Sequence, residues 1–158
     1  MPIFSAEMTS RKSTFALLAL AVLGVMGALS QPASSAGRRL DISGKVKLLG
    51  GGGAVMRQKG TFSGSPLGSG NISLSTNIGT GRGATFTFDL STARGSVHGT
   101  GNVALSFPGT KITYSGTAKI TQGSGAFRTM RADNLKVTGN GQLSGDTFNV
   151  RLTGTVSG

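Results

Sequence analysis

The chain has 158 residues, 27 of them glycine, with no cysteine, no tryptophan and one histidine. The missing thiols exclude disulfides and an amino-terminal lipid anchor, and a single histidine leaves too few ligands for a converging metal site. The formal net charge of +11 draws such a protein toward anionic polymers or lipid headgroups in a salt-dependent way.

Residues 1–36 read as an export signal. Arg11 and Lys12 lead into an apolar run from Phe15 to Leu29, and Ser34-Ser35-Ala36 supplies the small residues that a signal peptidase reads. The run is about 15 residues long, short of the roughly 20 that a permanent spanning helix needs; an uncleaved anchor is the alternative. A secreted or periplasmic location is therefore expected. Residues 37–158 would form a single domain, not integral to the membrane after cleavage. Once Arg11, Lys12 and Glu7 are set aside, 14 basic and 4 acidic residues remain.

From residue 38 onward apolar side chains recur at every second position, the period of a strand with one buried and one wet face. Leu40, Ile42, Val46 and Leu48 share the inner parity of strand one, opposite Asp41, Ser43, Lys45 and Lys47. Strand two, Ala54 to Ser63, puts Ala54, Met56, Gln58 and Phe62 inside, with Arg57 and Lys59 outside. After the turn Pro66-Leu67-Gly68, strand three has Ile72, Leu74 and Ile78 inside; strand four has Ala84, Phe86, Phe88 and Leu90 inside. Strand five, Gly95 to Phe107, carries Val97, Val103, Leu105 and Phe107 on its inner parity, together with Gly95, Gly99 and Gly101. Pro108-Gly109 makes a tight turn into strand six, Lys111 to Thr121, with Ile112, Tyr114, Ala118 and Ile120 inside. Residues 122–133 break the alternation and suit a short helical turn or cap. Strand seven places Leu135, Val137 and Leu143 inside. A turn at Ser144-Gly145-Asp146 leads to strand eight, with Phe148, Val150, Leu152 and Val156 inside.

Eight meandering strands predict an all-β fold, an eight-stranded antiparallel up-and-down barrel, because closure removes exposed edges. A β-sandwich is the alternative, since parity does not separate two inner faces from one closed one. An outer-membrane barrel would turn the same apolar parity to lipid. It needs aromatic girdles, and this domain has Tyr114 and no tryptophan.

The segment Ile120-Thr121-Gln122-Gly123-Ser124-Gly125-Ala126-Phe127-Arg128 resembles the I-x-G-G-T-G-x-F-x stretch of dirigent proteins and allene oxide cyclases. Gly123, Ser124, Gly125, Phe127, Arg128 and Arg131 fit the dirigent version, whereas Gln122 and Ala132 stand where that version has glycine. The resemblance implies a calycin-like barrel, often a homotrimer, whose apolar cavity steers a reactive small molecule. Taken on its residues alone, the segment is a cap: glycines permit a strained turn, and Phe127 plugs one barrel end.

No catalytic residue, metal site or cofactor is expected. General acid–base chemistry needs titratable groups held together, whereas Asp41, Asp89, Asp133 and Asp146 are dispersed and His98 stands alone with outward parity. Single-strand nucleic-acid binders expose aromatics for stacking; here Phe86, Phe88, Phe107 and Phe148 point inward, so no specific nucleic-acid partner is expected. Tyr114, a lone inner tyrosine, is expected to find a backbone partner, while a dirigent-like guide would use it to donate to a bound carbonyl or hydroxyl.

Two binding readings follow. The first is a non-catalytic binder of a small apolar ligand, in a cavity lined by Met56, Gln58, Phe86, Phe88, Phe107, Tyr114 and Phe148, with glycines leaving room beside them. The alternative is a basic, envelope-associated interaction module that binds anionic cell-envelope polymers. Its stripe would comprise Lys45, Lys47, Arg57 and Lys59, joined by Arg151 if strand eight closes against strand one. A dirigent-like guide or isomerase ranks third.

Overall fold

The computed structural model describes residues 36–79 and 81–158; the export segment expected over residues 1–36 lies, Ala36 apart, outside the described residues. The chain forms β1 (Arg38–Gly52), β2 (Val55–Ser65), β3 (Gly68–Ile78), β4 (Gly83–Thr92), β5 (Gly95–Ser106) and β6 (Lys111–Gly123). A 3-10 turn, η1 (Gly125–Phe127), follows, and then β7 (Ala132–Gln142) and β8 (Thr147–Val156). Every strand pairs antiparallel with its neighbours in sequence, and β8 returns to pair with β1 from Arg38↔Val156 to Lys47↔Thr147. The sheet is a closed barrel in strand order one to eight. The expected up-and-down barrel is the observed fold, and the sandwich alternative is not.

Within the strands the apolar parity faces inward. Leu40, Ile42, Val46, Ile72, Phe88, Leu90, Val97, Leu135, Val137 and Leu152 are the most deeply buried side chains. The outward wall is mainly Ser, Thr, Asn, Lys and Arg, with a few Asp, the inverse of the apolar band that a lipid-facing barrel presents.

The inner aromatics and inner glycines are matched pairwise across the strands. Phe86 lies opposite Gly101 and Phe88 opposite Gly99; Tyr114 lies opposite Gly139 and Phe148 opposite Gly141. Phe62 has glycine on both sides, Gly44 on β1 and Gly70 on β3. A β-carbon at Gly99 would strike the Phe88 ring, at Gly101 the Phe86 ring, at Gly139 the Tyr114 ring and at Gly141 the Phe148 ring. The space that these glycines leave is thus taken by a ring from the adjoining strand, rather than left beside it.

The two barrel ends differ. At one end Leu67, from the β2–β3 turn, and Phe127 and Met130, from the segment around η1, are buried and seal the interior. Gly125 there adopts φ +57°, a left-handed conformation natural to glycine. The Ala126 amide donates to the Arg94 carbonyl at 2.8 Å and the Ser124 amide to the Ser96 carbonyl at 2.8 Å, sewing the cap to the β4–β5 turn. The Arg94 guanidinium stands 5.4 Å from the Phe127 ring centre, within cation–π range. The motif of residues 120–128 is therefore a cap built around Phe127. The other end, made by the β1–β2, β3–β4, β5–β6 and β7–β8 connections, has no such plug among the described residues.

Three side chains expected inside are not. Ala54 sits exposed at the β1–β2 turn, Phe107 is 50% exposed and Leu143 is 53% exposed. Each lies just beyond the strand that its parity continues, where ladder hydrogen bonds stop fixing which face a side chain takes. In the other direction, turn positions hid Leu67 and Met130, which the alternation does not reach.

Replacing Gly99 with alanine drives a β-carbon into both the Phe88 ring and the Lys119 carbonyl. Gly99→Ala is expected to lower stability in urea titration by about 1–3 kcal/mol, the usual cost of overpacking. An alanine at exposed Gly52, where a β-carbon meets nothing, is expected to leave the midpoint nearly unchanged.

Candidate binding surfaces

A cleft in the interior, toward the uncapped end, is lined by Met56, Gln58, Phe86, Tyr114 and Phe148 among others, with a volume of about 50 Å³. Pockets for ordinary small ligands occupy about 300–1,000 Å³. Five of the seven expected cavity residues therefore meet, around a space that accommodates only a few waters. Phe88 is fully buried against Gly99 and does not line the cleft, and Phe107 lies outside the barrel lumen. The Tyr114 ring crosses over Gly139, and its hydroxyl donates to the Asn149 carbonyl at 2.8 Å. Burial pushes the phenol well above its ordinary pKa. The hydroxyl is therefore protonated at neutral pH and already committed to backbone.

Two of the five stripe cations are engaged by carboxylates. Arg151 on β8 donates from Nε and Nη2 to the two Asp41 oxygens on β1, at 3.0 and 2.8 Å. Lys47 on β1 meets Asp146, in the β7–β8 turn, at 3.0 Å. Both pairs span the β1–β8 seam. The hydrogen bond from Arg151 holds the Asp41 carboxyl below its ordinary pKa, and bonds from Lys47 and then Thr147 do the same for Asp146. Asp41 and Arg151 are 110 positions apart in sequence, so only closure brings them together.

Lys45, Arg57 and Lys59 make no ion pair among the described residues. Lys59 lies directly opposite Lys47, and Arg57 two positions along the same strand. Arg57 and Lys59 border a shallow outer groove of about 900 Å³, whose floor includes Ser73, Ser75 and Thr87 and whose edge is the β1–β2 hairpin with Leu49 and Val55. Through Val55, Ser75 and Thr87 it is continuous with a second groove of about 690 Å³, lined by Asn77, Thr85, Thr100, Asn102, Thr117 and Lys119. The wall thus offers a long trough of hydroxyl and amide groups, with Arg57, Lys59 and Asp89 lining the first groove and Lys119 and Asp133 the second.

His98 is not alone. Its Nδ1 lies 2.8 Å from an Asp89 oxygen, on the outer face where β4 and β5 pair those two positions. No third titratable group completes a metal-binding cluster among the described residues.

Sequence reading missed a second basic region. Arg38 and Arg39 at the start of β1, Arg94 in the β4–β5 turn, and Arg128 and Arg131 beyond η1 all gather at the capped end. A strand count assigns alternate turns to opposite ends, and that signal was present in the pattern. Compared with known proteins, the chain matches no family model, no curated protein and no solved structure.

The seam carboxylates give stability a pH dependence with a definite sign. Their folded pKa values lie below the ordinary 3.8, so the stabilisation is complete above that value and is lost as pH falls through the folded values. Thermal unfolding followed from about pH 6 to about pH 2 is expected to show a smaller acid-induced fall for the Asp41→Asn/Asp146→Asn double variant than for the wild type.

Proposed function

We propose that this chain is an exported, non-catalytic barrel that binds an anionic cell-envelope polymer along the outer trough of its wall. The observation that carries this reading is the placement of Arg57 and Lys59, free of carboxylate partners among the described residues, beside a floor of Ser73, Ser75 and Thr87, where the carboxylate lining the groove, Asp89, is taken by His98. Hydroxyl and amide groups suit the hydrogen-bonding groups of an acidic polymer, and cations on a solvated wall supply salt-sensitive attraction. Export rests on the Arg11/Lys12 start and the apolar run from Phe15 to Leu29.

A small apolar ligand is the second reading. What favours it is the mouth of the cleft, where Leu48, Ile78, Ile112 and Tyr114 are only partly covered. A ligand of ordinary size requires those side chains to move apart. The dirigent-like alternative shares that requirement and rests on residues 120–131.

The polymer reading is tested by charge reversal that spares the seam. Lys45→Glu/Arg57→Glu/Lys59→Glu is expected to weaken binding to heparin and polyglutamate about tenfold or more at low salt, with a shallower salt dependence. Unchanged retention, with the fold intact by circular dichroism, would contradict it.

A further inference from the structure

The large apolar side chains exposed among the described residues are Leu49, Phe107 and Leu143, at 60%, 50% and 53%, and all three lie at the uncapped end. Leu49 stands at the bulge before the β1–β2 turn, Phe107 at the β5–β6 turn and Leu143 at the β7–β8 turn. These connections are neighbours in space. The Leu143 amide donates to the Thr110 carbonyl at 2.9 Å, and the Leu48 amide to the Asp146 carbonyl at 2.6 Å. The half-covered apolar side chains packed on the core, Leu48, Ile78, Ile112 and Tyr114, sit at the same mouth. At the opposite end Leu67, Phe127 and Met130 are buried.

Two cations unpaired among the described residues share this end with the apolar rim. The fourth connection at this end carries Arg82, whose carbonyl accepts from the Leu105 amide at 2.6 Å, and Lys111 opens β6 beside the Phe107 turn. Neither has a carboxylate partner among the described residues. The carboxylate at this end, Asp146, is held by Lys47.

We propose that the uncapped end docks on an anionic lipid bilayer, with Phe107, Leu143 and Leu49 entering the headgroup–acyl boundary and Arg82 and Lys111 meeting the lipid headgroups. Apolar side chains below a basic collar are the arrangement that binds membrane interfaces through combined burial and charge. The same charges argue against a second copy as the occupant, because end-to-end pairing would set Arg82 and Lys111 of one chain against those of the other. This surface meets the trough at Leu49, which edges both, and does not depend on polymer binding.

Because the chain has no tryptophan, Phe107→Trp provides a single fluorescent reporter. The probe is vesicles of phosphatidylglycerol and phosphatidylcholine, with pure phosphatidylcholine for comparison. The expected result is a blue-shifted indole emission from Phe107→Trp, quenched by brominated acyl chains, on the anionic vesicles. Ala126→Trp, at the capped end, should not shift. Phe107→Ser/Leu143→Ser should lower vesicle partitioning about tenfold through lost apolar burial, while heparin binding stays unchanged. Adding the trough substitutions Lys45→Glu/Arg57→Glu/Lys59→Glu to the Phe107→Trp reporter should preserve its shift at saturation. The proposal is overturned if vesicles leave the Phe107→Trp emission unchanged, or if Ala126→Trp shifts equally. It is also overturned if the reporter's blue shift appears without lipid as protein concentration rises and the mass doubles.

Discussion

The barrel depends on matching each inner ring to a glycine on the next strand. Eight strands enclose a lumen just wide enough for side chains to fill it or to hold one small ligand. Phe86, Phe88, Tyr114 and Phe148 are too large to stand opposite one another there, and each instead lies over Gly101, Gly99, Gly139 or Gly141. The glycines weaken their strands locally, and the rings restore contact across the gap. Phe86 and Phe88 also meet, with ring centres 6.1 Å apart in a tilted geometry suited to aromatic pairs.

That packing leaves about 50 Å³ inside, and what the barrel displays to solvent is its wall and its two ends. Closure adds a demand of its own, because β1 and β8 must be held together. Asp41–Arg151 and Lys47–Asp146 lie across that seam, so two of the outward cations are already engaged by carboxylates. What remains is sorted by place: Lys45, Arg57, Lys59, Lys119 and Lys136 on the wall, five arginines around the cap, and Arg82 and Lys111 beside the apolar rim. The two ends are chemically unlike, one sealed by Phe127 and the other left with Phe107 and Leu143 in water.

Strand parity made most of this fold legible in the sequence, because one buried face imposes a period of two and a one-residue slip would invert it. The cap was legible as well, from the loss of alternation after Thr121 and from Phe127 among glycines. Pairing across strands was not. That Gly99 makes room for Phe88, and not for a ligand, follows only from the β4–β5 register, and His98 finds Asp89 through that same register. The alternation also misled at strand ends, where Phe107 and Leu143 keep the inner parity in sequence but have left the ladder. The Asp41–Arg151 pair waited on closure for the same reason: its partners meet only when the first and last strands do.

The most direct test of this account is a double-mutant cycle on Gly141 and Phe148, since a β-carbon at Gly141 meets the Phe148 ring as its nearest neighbour. Unfolding free energies would be measured for Gly141→Ala, Phe148→Val and the pair together. If the ring fills the glycine's space, alanine is costly beside Phe148 and tolerated beside valine, with a coupling of about 1 kcal/mol or more. Additivity within about 0.3 kcal/mol would contradict it, and would mean that the ring and the glycine occupy the barrel independently.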